Sequence, residues 1–209
     1  MFTGIVQGTS KVLDVTNHEF GRRYRVRLEP EWSAGLEIGA SVSVNGVCQT
    51  VVAIDGDGGT DVTFDAVHET LRLTMLGALQ ADQWVNIERS LVFGQEVGGH
   101  VMSGHIDGVV EVVAADLEGS EPTIELSYPA QFLPYVLDKG YVGLHGCSLT
   151  VHRLNRAQRR FTVCLIPETL RVTNLSSVVE GDTLNLEIDR QTQTIVDTVE
   201  RVLASRTSE

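Results

Sequence analysis

The chain repeats itself at an interval of about a hundred residues, which excludes most folds built around a single core. Thr3-Gly4-Ile5-Val6-Gln7-Gly8 returns as Ser103-Gly104-His105-Ile106-Asp107-Gly108. Val44-Asn45-Gly46-Val47-Cys48-Gln49-Thr50-Val51 returns as Leu144-His145-Gly146-Cys147-Ser148-Leu149-Thr150-Val151, an offset of 100. Glu69-Thr70-Leu71-Arg72-Leu73-Thr74 returns as Glu168-Thr169-Leu170-Arg171-Val172-Thr173, and Val85-Asn86-Ile87-Glu88 as Leu184-Asn185-Leu186-Glu187, both at 99. Four motifs in one order at nearly one offset define two homologous domains of about 90 residues each. The glycine-rich run Leu91–Gly99 is the natural junction. The expected division is a first domain over 1–95, a second over 96–189 and a tail over 190–209.

Composition narrows the class. With 42% hydrophobic and 21% charged residues the chain is globular, neither disordered nor collagen-like. No apolar run approaches the roughly 18 residues of a membrane span, and the N-terminus lacks the features of a secretion signal. A soluble, cytoplasmic protein with no membrane partner is expected. The net charge of −12 repels a phosphate backbone. The one dense basic run, Arg22 to Arg27, alternates Tyr24 and Val26 with Arg23, Arg25 and Arg27 and reads as the wet side of a strand. Nucleic acid is therefore not an expected partner. Three cysteines, Cys48, Cys147 and Cys164, have neither metal-ligand spacing nor an even count, so neither a disulfide framework nor a metal site is expected.

Within each half the pattern is β: short Val-, Leu-, Ile- and Thr-rich runs separated by turns such as Asn45-Gly46, Asp55-Gly56-Asp57-Gly58-Gly59 and Glu118-Gly119-Ser120. Five or six short antiparallel strands in 90 residues remove their edges most economically by closing into a Greek-key barrel. A short helix is expected near Leu71–Leu79 and another near Pro129–Leu137. From Gln191 to Arg206 there is no glycine or proline, and Ile195, Val196, Val199, Val202 and Leu203 recur at helical spacing. This terminal helix has no counterpart in the first repeat. Its stripe either packs on its own chain or meets other copies.

Strand alternation puts Cys48 and Thr50 on one face and Val47, Gln49 and Val51 on the other. In the second half Ser148, Thr150 and His152 face away from Cys147, Leu149 and Val151. The apolar faces should fill the barrels, leaving a ligand on the outside of each. Two similar barrels imply two similar ligands, and mismatches between the repeats mark where the chemistry is asymmetric: Cys48 against Ser148, Ile5 against His105, His68 against Pro167. A cysteine is ordinarily a small apolar filler. Cys147 and Cys164 are read so, whereas Cys48 lies in a recurring polar motif. His18 and His152 read as surface or satisfied residues, and His105 as a functional one.

The opening Met1-Phe2-Thr3-Gly4-Ile5-Val6-Gln7-Gly8, the Asn45–Val51 segment, Gly98-Gly99-His100-Val101-Met102-Ser103-Gly104-His105, Gly146–Val151 and Leu165-Ile166-Pro167-Glu168-Thr169-Leu170 resemble the motifs of the riboflavin synthase family, alpha-chain type. The resemblance runs from Met1 to the helix containing Asp197-Thr198-Val199-Glu200-Arg201. It implies an all-β fold with a C-terminal α-helix, two tandem homologous six-stranded Greek-key β-barrels. It also implies a homotrimer with no cofactor and no metal, and lumazine synthase as a potential partner. The family reaction is a dismutation in which two 6,7-dimethyl-8-ribityllumazine molecules exchange a four-carbon unit. The products are riboflavin and 5-amino-6-(D-ribitylamino)uracil. One lumazine lies in an N-terminal barrel and the other in the C-terminal barrel of a neighbouring subunit.

Carried over by motif, the N-terminal site would comprise Gly4, Ile5 and Val6, then Cys48, Gln49 and Thr50, then Asp65, Ala66, Val67, His68, Glu69 and Thr70. The C-terminal site would comprise Gly104, His105 and Ile106, then Lys139, then Ser148, Leu149 and Thr150, then Cys164, Leu165, Ile166, Pro167, Glu168 and Thr169. The reaction needs a nucleophile at C7 of the donor, a base for the C7 methyl of the acceptor, and two stacked rings. His105 is the expected proton carrier because an imidazole titrates near neutrality. Ser148 and Thr150 would hydrogen-bond one ring, Cys48 and Ser41 would line the donor side, and Asp189 would assist the second ring or simply end a strand. The chain departs from the family pattern at Gln49, commonly leucine, and at His145, commonly aspartate or asparagine. A competing reading is a non-catalytic lumazine- or flavin-binding paralogue of the kind used as optical antennae. A flavin-reductase-like barrel lacks a recognisable nicotinamide-binding half.

Overall fold

The computed structural model describes residues 1–56, 58 and 60–206. Asp57 and Gly59 of the expected glycine-rich turn, and residues 207–209 of the tail, lie outside the described residues. The first barrel is built from β1 (Gly8–His18), β2 (Gly21–Arg27), β3 (Ser41–Val44), β4 (Val47–Asp55), β5 (Asp61–Val67) and β6 (Trp84–Arg89), with helical turns α1 (Pro30–Ser33) and α2 (His68–Leu73). The second repeats it with β7 (Gly108–Asp116), β8 (Thr123–Ser127), β9 (Tyr141–Leu144), β10 (Cys147–Asn155), β11 (Arg160–Cys164) and β12 (Thr183–Ile188), α3 (Pro167–Val172) preceding β12. Each sheet closes on itself in the same order, β1-β2-β5-β4-β3-β6 and β7-β8-β11-β10-β9-β12. The expected six-stranded antiparallel barrels are thus both present. Register shifts fall at matched places, after Val12 and Val112 and after Val51 and Val151, where a bulge adds the twist that tight closure requires.

Alternation puts the apolar faces inside. Val47 and Val51 of β4 and Cys147, Leu149 and Val151 of β10 are buried with Tyr24, Phe64 and Ile87, or with Leu126, Phe161 and Leu186. Cys147 fills space as expected, and burial pushes its thiol up to about 12. Cys164, also read as a filler, is instead exposed at the end of β11. The arginines of β2 form the expected wet face, where Arg23 pairs with Asp65, Arg25 with Asp14 and Arg27 with Asp61.

The short helices differ from expectation. The segment expected to be helical over Leu71–Leu79 splits into α2 and a 3₁₀ turn at Met75–Ala78, and the one near Pro129–Leu137 shrinks to a 3₁₀ turn at Ala130–Phe132. The sequence reading missed α3 altogether, because six residues are too few to establish a helical period, although its proline stands at the favoured first helical position. The terminal helix α4 (Arg190–Arg206) is present, buries no residue on its own chain and leaves Ile195, Val199, Val202 and Leu203 exposed.

The two barrels meet at the tips of the β3–β4 and β9–β10 hairpins. Asn45-Gly46 and His145-Gly146 have positive φ (47° and 84°, 46° and 88°), as a type I′ turn demands. A Cβ on Gly46 would lie 2.6 Å from the Gly146 amide nitrogen, so only glycine permits the tips to touch. Two fully buried asparagines stitch this contact. Asn86 Nδ2 donates to the His145 carbonyl (2.9 Å) while its Oδ1 accepts from Asn174 N (2.8 Å). Asn185 Nδ2 donates to the Asn45 carbonyl (2.8 Å) while its Oδ1 accepts from Met75 N (2.7 Å).

His145 fits this frame. Its Nδ1 accepts from Asn185 N at 2.8 Å, as Asn45 Oδ1 accepts from Asn86 N at 2.7 Å. Burial lowers its pKa from 6.5 to about 4 and keeps the ring neutral. The unfolded chain takes up a proton near pH 6.5 that the folded chain refuses, so this histidine withdraws stability as pH falls from 6.5 toward 4. His145→Asn should keep the hydrogen bond and remove that loss. In urea unfolding at stepped pH, the midpoint of the parent is expected to fall below that of the variant progressively under pH 6.5, while the gap between them stays constant above it.

Candidate functional site

The segments that precede β1 and β7 cross between the barrels. Phe2 and Met102 form an antiparallel bridge, with N–H···O distances of 2.8 and 3.0 Å. Beyond it the Gly4 carbonyl accepts from Ser148 N and the Gly104 carbonyl accepts from Cys48 N, both at 2.8 Å. Val6 joins the core of the second barrel, and Ile106 packs on the core of the first. The expected grouping is therefore corrected. Gly4, Ile5 and Val6 lie with Ser148 and Leu149, not with Cys48, and Gly104, His105 and Ile106 lie with Cys48, not with Ser148. Equivalence between repeats is compatible with either grouping, and only the crossing decides.

Each crossing segment is anchored by a buried glutamate on the last strand of the barrel that follows it in sequence. Glu88 Oε1 accepts from Thr3 N (2.6 Å) and Thr3 Oγ1 (2.8 Å), and its Oε2 from Gly4 N (3.1 Å). Glu187 makes the same three bonds to Ser103 and Gly104 at 2.7, 2.7 and 3.1 Å. Burial raises both carboxyl pKa values, and the donated hydrogen bonds pull in the opposite direction. Neither residue was singled out from the sequence, although both end a recurring motif.

Against the second barrel this arrangement leaves a cleft of about 260 Å³ lined by Gly4, Ile5, Val6, Ser148, Leu149, Ile166, Glu168 and Thr169. Ser148 and Thr150 face outward on β10, as alternation requires. The Ser148 hydroxyl lies 2.7 Å from His100 Nδ1, and the His100 ring stacks on Tyr141 with centroids 5.2 Å apart. Burial lowers the His100 pKa, Asp189 opposes that shift, and the buried Nε2 has no partner among the described residues. His100 was missed as a site residue because the matched motifs begin at Thr3 and Ser103, and it stands outside them.

The other candidates are mixed. Leu165 is core, Ile166 is exposed, and Pro167 opens α3, whose Glu168 is paired with Arg171. Lys139 is exposed in a left-handed turn (φ 61°) before β9, and does not line this cleft. Asp189 caps α4, accepting from Thr192 Oγ1 (2.7 Å), Thr192 N (3.1 Å) and Gln191 N (3.2 Å). Burial raises its pKa, but these bonds outweigh that and hold it below the ordinary range.

On the first barrel, Cys48 and Thr50 face outward, Ser41 is the cross-strand partner of Thr50, and His105, which follows the Gly104 bonded to Cys48 N, is exposed. Gln49 is buried, its Nε2 donating to the Cys48 carbonyl (2.8 Å) and its Oε1 left without a partner among the described residues. Ala66 points into the core, whereas Val67 is exposed. Asp65 is held by two bonds from Arg23 (2.7 and 2.8 Å), Glu69 by Arg72, and His68 Nε2 lies 2.8 Å from the Glu19 carbonyl. Thr70 accepts at its carbonyl from Thr74 Oγ1 (2.8 Å). Among the described residues no group of three His, Cys, Asp or Glu side chains could hold a metal ion.

The crossing is testable through Gly4, whose φ is +73° and whose added Cβ would lie 2.5 Å from Ser148 Cβ. Gly35, at φ +64° with nothing within 4 Å, supplies the control. Gly35→Ala should cost about 1 kcal/mol of backbone strain and Gly4→Ala about 2–4 kcal/mol, roughly 5–15 °C in Tm by differential scanning calorimetry.

Comparison with known proteins agrees with this architecture. The model of the lumazine-binding domain matches residues 3–90 and again 103–189. Riboflavin synthase of Escherichia coli K12 is 47% identical, over 99% of this chain and 95% of the relative. That of Buchnera aphidicola subsp. Baizongia pistaciae is 42% identical over 97% and 94%, and that of Mycobacterium tuberculosis 37% over 98% and 99%. Among solved structures, LumP complexed with riboflavin superposes with a TM-score of 0.83 at 24% identity, covering 91% of this chain and all of LumP. That likeness concerns the fold. The doubled domain match and the near-full-length identity to several synthases place this chain in the riboflavin synthase family of tandem lumazine-binding barrels.

Proposed function

We propose that the protein is a riboflavin synthase, converting two molecules of 6,7-dimethyl-8-ribityllumazine into riboflavin and 5-amino-6-(D-ribitylamino)uracil by transfer of four carbons. The observation that carries this reading is the pair of equivalent outward-facing surfaces, each assembled from both repeats, in a chain closely similar to synthases over its whole length. Atoms balance between two lumazines and the two products, so the chemistry requires no oxidant or reductant. What the protein must supply is alignment of two rings and movement of protons. Holding reactants in register can remove several kcal/mol from the barrier, and acid–base help adds typically 10²- to 10⁴-fold.

The two surfaces are chemically unequal. The first barrel offers Cys48, Ser41, Thr50 and the His105 imidazole, and the second offers Thr150 and the Ser148 hydroxyl oriented by His100. His105 is proposed to move the proton of the C7 methyl group, and Ser148 to hydrogen-bond the partner ring. Because the surfaces lie on separate barrels, we propose that they meet between copies of the chain, with the exposed stripe of α4 joining three of them. Association with lumazine synthase is a further proposal from family resemblance alone.

A second reading, a protein that binds lumazine or flavin without turning it over, draws on the similarity to LumP, which has been solved with both riboflavin and the ribityl lumazine. The intact Ser148-Leu149-Thr150 and Ile166-Pro167-Glu168-Thr169 motifs in the second repeat favour the enzyme. Incubation with the lumazine alone separates the two. Two substrates should disappear for each riboflavin formed, whereas tight binding with unchanged lumazine would establish the binding protein. His105→Gln should lower kcat at least ~10-fold with a smaller change in KM, and Cys48→Ser should be mild because the second repeat already carries serine there.

Assembly gives a separate test. Each side chain of Ile195, Val199 and Val202 buried between copies would contribute about 1.5–3 kcal/mol. Val199→Asp should yield a soluble monomer by sedimentation that retains lumazine binding and loses synthase activity. A monomer making riboflavin at the parent rate would return the chemistry to one chain.

A further inference from the structure

The two crossing segments share their anchors, with one exception. Both are held by a glutamate and by a carbonyl-to-strand bond, but among the described residues only the segment carrying His105 is gripped by an arginine guanidinium. Arg190 Nη2 donates to the His105 carbonyl at 2.7 Å, and its Nη1 donates to Asp107 Oδ1 at 3.1 Å. Asp107 is fixed in turn, its Oδ2 accepting from Ile188 N at 2.8 Å. In the first repeat Gln7 replaces Asp107, and its Oε1 accepts from Arg89 N at 2.7 Å. The Arg89 guanidinium turns away to the carbonyls of Trp32 and Ala34, and among the described residues no arginine reaches the Ile5 carbonyl. The extra grip therefore falls on the one of the two equivalent positions that bears an imidazole. It is supplied by the first residue of α4, an element the first repeat lacks.

We propose that Arg190 is a positioning residue for His105. Its guanidinium immobilises the peptide carbonyl beside the imidazole and thereby fixes where the ring points relative to Cys48. Asp107 sets the guanidinium, and the seating of α4 sets Asp107's partner, so the terminal helix that we propose joins the copies also aligns the proton carrier. This inference rests on the role given to His105 under the proposed function.

The test uses full-length Arg190→Gln, Arg190→Lys, His105→Gln and the Arg190→Gln/His105→Gln double variant, with 6,7-dimethyl-8-ribityllumazine as substrate. Misplacing a catalytic group by an ångström can cost up to about 100-fold, so Arg190→Gln should lower kcat by roughly 10-fold with KM within about twofold and sedimentation unchanged. Arg190→Lys, which keeps one donor, should recover kcat to within about threefold of the parent. The double variant should be no slower than His105→Gln alone within about twofold, because an arginine that acts through His105 has nothing left to position. An Arg190→Gln enzyme at the parent rate beside a slowed His105→Gln would overturn the proposal. So would a double variant slowed by the product of the single effects, or a loss of activity that merely tracks loss of assembly. A His105→Gln enzyme at the parent rate would instead remove the underlying role of His105, and the positioning role with it.

Discussion

A buried carboxylate holding three donors from a crossing strand is the interaction on which the functional architecture rests. Glu88 and Glu187 sit at the ends of β6 and β12, and each takes both the side chain and the amide of Thr3 or Ser103 and the amide of the following glycine. A buried charge is costly unless it is saturated with hydrogen bonds, so each glutamate demands its segment in one conformation. That conformation requires a left-handed glycine, at φ 73° for Gly4 and 76° for Gly104. The glycine carbonyl then points at the facing strand of the other barrel. Neither barrel completes its outer surface alone.

The same reciprocity explains why the barrels are joined so closely. Hairpin tips touch through Gly46 and Gly146, and the Asn86 and Asn185 side chains each satisfy a carbonyl and an amide of the other half. Polar groups placed in the middle of an interface are expensive to leave unpaired, so the pairing specifies a single relative orientation. With the orientation fixed, Ser148 lies under Gly4 and Cys48 under Gly104. The repeats diverge where function would require it. In the second, His100 bears on Ser148, and the arginine on the His105 carbonyl comes from α4, which follows the second barrel.

His145 shows how a departure from a family pattern can be chemically conservative. At the hairpin position where the first repeat has asparagine, its Nδ1 provides the same acceptor to the same backbone amide. The substitution keeps the geometry and adds a titratable group whose burial makes it sensitive to acid. Gln49 departs at a cost, with one amide atom paired and the other buried without a partner among the described residues.

Much of the fold was legible in the chain itself. Periodicity of two marks the strands, and the turn between β3 and β4 is written as Asn45-Gly46. The doubled motifs require two like domains, and a long stretch free of glycine and proline gives α4. These features are local, set by side-chain alternation and backbone preference over a few residues. The faces of β4 and β10 follow from the same rule, which is why Cys48, Thr50, Ser148 and Thr150 were placed outward correctly. Repeat arithmetic equates Gly4 with Gly104 but is silent on which barrel each one touches. The crossing at Phe2 and Met102, the glutamate anchors, the contact of His100 with Ser148 and the capping role of Asp189 join residues some 2 to 100 positions apart through hydrogen bonds that leave no periodic trace. The sequence determined the elements and their doubling, because those depend on neighbours along the chain. Only the tertiary structure decided how the two halves complete each other's surfaces, because that depends on which buried polar groups find partners across space.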